Sequence, residues 1–137
     1  MSARTKARKR ALDLLYSADV RGQSLVEALA AEAQRAAREP ARKASWDYAA
    51  QIVQGVIEHL DEIDDTIRSY AQDWPLERMP AVDRALLRIG IWELLHNDEV
   101  PDSVVIAEAV ESAGLHSTED SSRFINGVLA RVAASRG

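Results

Sequence analysis

Cysteine is absent from this 137-residue chain, which excludes disulfides and thiolate metal sites. No apolar run reaches membrane-spanning length, and the basic start lacks the apolar stretch of a secretory signal. The expectation is therefore a soluble, cytoplasmic protein. No segment alternates apolar and polar residues as a strand does, and no internal repeat is visible. A glycine-rich phosphate loop and a nucleophile elbow are both missing. His59, His96 and His116 show no mutual metal-ligand spacing along the chain. The acidic run DEIDD at 61–65 lacks the glycine and terminal glutamate of a calcium loop and reads as a solvated face. These absences point away from an enzyme and from any cofactor or metal. The length fits one domain, residues 1–137, with a core that needs no staples.

What is present is helical periodicity. Ala7, Ala11, Leu14, Leu15 and Ala18 share one face, and Gly22 suits the stop. Ser24 with Glu27 has capping-box spacing and opens a second helix, buried through Leu25, Ala28 and Leu29, that ends before Pro40. After a polar connection, Ser45 is expected to cap a long segment running from Trp46 to Tyr70, with room for a bend near His59–Asp61. Trp74-Pro75 and Met79-Pro80 mark a stiff linker. From Pro80 to His96 apolar residues cover most of the circumference, the mark of a central helix. Pro101 begins another, and Ser117 or Thr118 should cap the last, with Phe124, Ile125, Val128 and Val132 inward. The fold class is all-α.

FINGVL at 124–129 tests that reading, because Asn-Gly between apolar residues signals a hairpin in isolation. The spacing of Phe124, Val128 and Val132 favours a helix instead. Gly127 then costs about 1 kcal/mol against alanine, which predicts a close helix crossing there.

Charge is unevenly placed. The chain carries 17 basic and 22 acidic residues, a formal charge of -5. Yet Arg4, Lys6, Arg8, Lys9 and Arg10 all precede the first acid, Asp13; without those five the rest holds 12 basic against 22 acidic. Cations at a helix N-terminus oppose the macrodipole, and a bound anion would relieve the conflict. Tyr16 lies on the same face as Lys9, outside the apolar stripe. Cations beside an off-core ring make a surface for single-stranded nucleic acid, charge for phosphate and a ring for a base. On these residues alone the other reading, a solvated terminus with a half-buried Tyr16, stays open.

Four stretches together carry a resemblance: ARKRALDLLYSAD, MPAVDRALLRIGIWELL, VPDSVVIAEAVE and TEDSSRFINGVL. In this order and at these separations they resemble the NusB transcription antitermination family over nearly the whole chain. The resemblance implies two three-helix bundles packed roughly perpendicular. It implies binding of boxA RNA in ribosomal RNA transcripts together with NusE, a ribosomal small-subunit protein. Other Nus factors and RNA polymerase would be indirect partners. It also implies roles for residues. Arg4, Lys6 and Arg8 match the family's basic N-terminus, and Tyr16 its RNA-facing tyrosine. Tyr70, Arg88, Asp120, Arg123 and Phe124 match further RNA-side positions, and Asp83 matches an acid toward the partner surface. Lys9 stands where the family often has an acid and would strengthen phosphate binding. Each position has a plain structural alternative: Tyr70 and Phe124 as core, Arg88 paired with a carboxylate, Asp120 as a helix-start acid. Arg8 and Tyr16 are assigned to RNA, whereas Phe124 taken alone reads as core. Ala107 and Gly114 depart from the family's polar pattern. The surfaces that would bind NusE are equally available to a second copy, so a homodimer stays open. The competing class is an all-α protein–protein module whose basic helix binds an acidic partner.

Overall fold

The structure, a computed structural model, describes residues 2–136. Seven α-helices and no strand occur among the described residues: α1 (Ala3–Arg21), α2 (Leu25–Ala36), α3 (Lys43–Glu58), α4 (Leu60–Tyr70), α5 (Ala81–His96), α6 (Asp102–His116) and α7 (Ser121–Arg136). Among the described residues no helix is long and apolar enough to cross a membrane. The helices α1, α2 and α3 pack as one bundle and α5, α6 and α7 as a second, with α4 lying against α5 and α7.

Local chemistry sets the ends. Ser2 caps α1 by accepting from the Thr5 amide at 3.1 Å. Gly22 ends it at φ 64°, a left-handed turn that lets the Gln23 amide donate back to the Ala18 carbonyl. Ser24 caps α2 through the Glu27 amide, as its spacing predicts. The long periodic segment does break at the expected bend. His59 leaves helical geometry at φ -119°, ψ 22°, separating α3 from α4. Ser45 differs from expectation. A 3-10 turn over Pro40–Arg42 leads directly into α3 at Lys43, so Ser45 lies inside the first turn and caps nothing. Its hydroxyl donates to the Arg42 carbonyl and accepts from Arg10.

The centre is α5. Leu87, Ile91 and Leu94 are fully buried beside Ile52, Ile63, Ile67, Ile125 and Leu129 from its neighbours. Each such side chain contributes about 1.5–3 kcal/mol by leaving water. Since α5 touches α1, α3, α4, α6 and α7, its one apolar cylinder joins both bundles. In α1, Leu12 is buried and Leu14 only partly so, a shift of the expected stripe by part of a turn.

FINGVL is helical, inside α7. The close crossing expected at Gly127 is not there. A Cβ on Gly127 would meet nothing nearer than the Arg131 guanidinium at 3.6 Å, and Asn126 is exposed. Close approach occurs at Gly90, against Leu129, and at Gly55, beneath Trp92.

Candidate nucleic-acid interface

The basic cluster of α1 is largely engaged with the protein's own acids. Arg8 donates from Nε and from a terminal nitrogen to the two carboxylate oxygens of Glu93, each at 2.8 Å, and lies 3.5 Å from Glu108. Its side chain is 10% exposed and that of Glu93 1%. Burial works to lower the Arg8 pKa, but the hydrogen bonds and charge of Glu93 outweigh it and raise the value further. Tyr48 donates to the same carboxylate at 2.7 Å and accepts from Asn97. Burial first, then Glu93, pushes this phenol well above its usual range, so it remains a donor.

Arg4 pairs with Glu99 and sits 5.0 Å from the centroid of the Tyr48 ring. Arg10 reaches Ser45 and lies over Trp46. Thr5 donates to Glu108, so the Glu of the divergent Ala107-Glu108-Ala109 stretch still holds α1. The sequence-predicted phosphate contact at Arg8 is therefore reassigned. Its guanidinium fastens α1 to α5 and α6, because breaking a buried pair costs about 3–5 kcal/mol.

The cations left for a ligand lie elsewhere on α1. Lys6 is exposed and makes no ion pair among the described residues. Lys9 bonds Asp13 at 2.6 Å, an exposed pair one helical turn apart worth a few tenths of a kcal/mol and easily exchanged. Tyr16 is 42% exposed, with Val20 beyond it at 61%. Lys6, Lys9, Asp13, Tyr16 and Val20 recur at helical spacing on one solvent face.

A second grouping lies in an open cleft of about 700 Å³ where the end of α4 and the linker meet the start of α7. Tyr70, Asp120, Arg123 and Phe124, far apart in sequence, all line it. Two residues that sequence reasoning missed line it too, Trp74 and Arg131. Trp74 meets Phe124 edge-on, centroids 4.7 Å apart at 63°. Arg131 donates to the Tyr70 carbonyl at 2.8 Å. Its position seven residues after Phe124 is the signal that could have revealed it. Phe124 is only partly buried, forming a wall of the cleft as well as an edge of the core.

Arg88 and Asp83 stand apart from both groupings. Arg88 is held by Asp64 through two bonds of 2.9 and 3.0 Å, largely out of solvent, which is the carboxylate pairing that the sequence left open. Asp83 is 0% exposed, and the partner contact assigned to it is corrected: a side chain without accessible surface is not part of a docking face. Its carboxyl instead accepts from Ser117 at 2.5 Å and Ser121 at 2.9 Å. That explains why α7 starts at Ser121, three or four residues after the expected cap.

The adjacent Arg84 completes an anchor. It donates to Asp19 near the end of α1 and to the Leu76 and Met79 carbonyls of the linker. Through Asp83 and Arg84, the first turn of α5 thus holds the α7 start, the linker behind Trp74 and the C-terminal part of α1, one turn beyond Tyr16. The two groupings share that foundation.

The NusB family profile matches residues 5–134. The chain belongs to the NusB family. The transcription antitermination protein NusB of Leifsonia xyli subsp. xyli is 67% identical over 136 residues, covering 99% of this chain and 94% of that protein. Among solved structures, T. maritima NusB is similar with TM-score 0.82 at 33% identity, over 96% of this chain and 90% of that one. A NusB chain from a complex of antitermination factors NusB and NusE with double-stranded RNA gives TM-score 0.83 at 27% identity, over 98% of each chain. Family membership makes this a transcription antitermination factor, a class of regulatory proteins.

Proposed function

We propose that this family member is a cytoplasmic, non-enzymatic adaptor that holds single-stranded boxA RNA of ribosomal RNA transcripts and acts with NusE. The observation that carries the reading is the cleft at the α7 start. It combines three rings, Tyr70, Trp74 and Phe124, with the guanidinium groups of Arg123 and Arg131. Rings receive unstacked bases and cations follow the phosphates, a combination suited to single strands. Tyr16, Lys6 and Lys9 on α1 extend the track, and the common anchor on α5 keeps both parts in fixed relation. The similarity to a chain from a complex of NusB and NusE with double-stranded RNA supports NusE and RNA as the partners. The net acidity of the chain outside the α1 cluster suits a partner that carries positive charge. Nus factors and RNA polymerase would then be reached through this assembly.

Titration of a labelled boxA oligonucleotide, with and without NusE, tests the reading. Sequence-dependent binding that tightens when NusE is present is expected, with NusE tightening by the same factor when RNA is present. Affinity for protein alone, with none for boxA in either arm, would replace the adaptor by a protein–protein module.

A further inference from the structure

The fold brings together two histidines that are 37 positions apart in the chain. The His59 and His96 rings stack with centroids 3.8 Å apart and planes within 12°. Glu62 joins them, its carboxylate oxygen 2.5 Å from His96 Nε2. One ligand atom from each of the three side chains lies within 4.8 Å of the other two. The chain's linear spacing predicts no such grouping, so this is a correction made by tertiary structure.

We propose that His59, Glu62 and His96 bind a divalent transition ion of the zinc type. Two imidazole nitrogens and a carboxylate oxygen are a donor set such ions favour, and they leave a fourth position for water. Tetrahedral ligands about 2.0–2.1 Å from zinc lie roughly 3.4 Å from one another, so binding requires the stacked rings to turn until their in-plane lone pairs converge and the carboxylate to make a small inward rotation. The Glu62 side chain is 54% exposed and free to make it. The backbone is already fixed. His59 occupies the break between α3 and α4, where its amide donates to Gly55 and its carbonyl accepts from Ile63. Glu62 follows one turn later on the same face, and His96 is the last residue of α5. The His96–Glu62 contact leaves His59 without a side-chain hydrogen bond among the described residues, its ring face merely covering that of His96. With the rings turned out of their stack, an ion between the two nitrogens and the carboxylate engages all three groups. It would clamp the α3–α4 break to the end of α5, a role separate from RNA binding.

The test uses the full chain freed of metal with a chelator. Addition of Co2+ should produce the visible absorption bands of a low-coordinate nitrogen and oxygen site, and Zn2+ should abolish them by competition. Zinc at about a hundredfold over its dissociation constant should raise the melting midpoint on the order of 5–10 °C. His59→Ala and His96→Ala should remove the bands. Glu62→Gln, at an exposed position, should weaken binding at least about tenfold without disturbing the fold. His116→Ala should leave binding unchanged, and Mg2+ should not compete. Absence of the cobalt bands, equal affinity in His59→Ala and the parent, or effective competition by Mg2+ would each overturn the site.

Discussion

The indole of Trp92 occupies the space directly above Gly55. A Cβ built on Gly55 would fall 1.9 Å from Nε1 and 2.3 Å from Cε2 of that ring. Here α3 and α5 approach so closely that no side chain fits, and the buried indole is no flexible tip that swings aside.

Two glycine substitutions should therefore act in opposite directions. Alanine gains up to about 1 kcal/mol over glycine within a helix. At Gly55 the clash outweighs that gain, and Gly55→Ala should lose about 1–3 kcal/mol in denaturant melts. At Gly127, with its nearest neighbour at 3.6 Å, the propensity term stands alone. Gly127→Ala should gain about 0.5–1 kcal/mol. A destabilised Gly127→Ala would restore the close crossing that the sequence suggested.

Arg8 and the exposed cations should separate cleanly. Arg8→Ala leaves Glu93 buried without its partner and should cost about 3–5 kcal/mol of stability. In the fraction still folded, the dependence of RNA affinity on salt should be unchanged. Replacing Lys6, Lys9 and Arg123 together should do the reverse. If each meets one phosphate, the parent's slope of log affinity against log salt includes roughly -2 from them, and the triple variant should lose it at nearly constant melting temperature. A salt slope that flattens in Arg8→Ala alone would return that residue to the RNA.

Tyr16 offers a test with two readouts. Its ring is exposed, while the stripe of Ala7, Ala11, Leu15 and Ala18 beneath it is complete. Tyr16→Ala should weaken boxA binding by about 1–3 kcal/mol and leave the melt within about 0.5 kcal/mol of the parent. Tyr16→Phe should retain most of the affinity. Loss of stability with full RNA binding would make the residue structural.

Asp83 should act on RNA from within the fold. Asp83→Ala removes the acceptor of Ser117 and Ser121, at a cost of about 2–4 kcal/mol. Amide exchange should accelerate over residues 118–124, and RNA affinity should fall because Asp120, Arg123 and Phe124 lose their fixed placement. Unaltered exchange at the α7 start would remove Asp83 from that role.

Helix identity and the central place of α5 were legible in the sequence because both follow from local spacing. Apolar residues at 3.6 periodicity, Gly22 at a left-handed stop, Ser24 before Glu27 and the two Pro-marked breaks each act within one or two turns. The family could also be read there, since its stretches keep order and separation. Tyr16 was recognised as lying off the core because a helix's faces follow from residue number alone. What a charged side chain meets across the fold does not follow from residue number. Glu93 lies 85 positions from Arg8, and only the packing of α1 on α5 turned an apparent phosphate ligand into a buried clamp. In the same way, tertiary packing enclosed Asp83, joined Trp74 and Arg131 to Phe124, and stacked His59 on His96. Which segments are helices and which faces are apolar follows from local spacing, because neighbours along the chain set those energies. Which charges remain free for a ligand follows from the packed fold, because pairing and desolvation depend on distances in space.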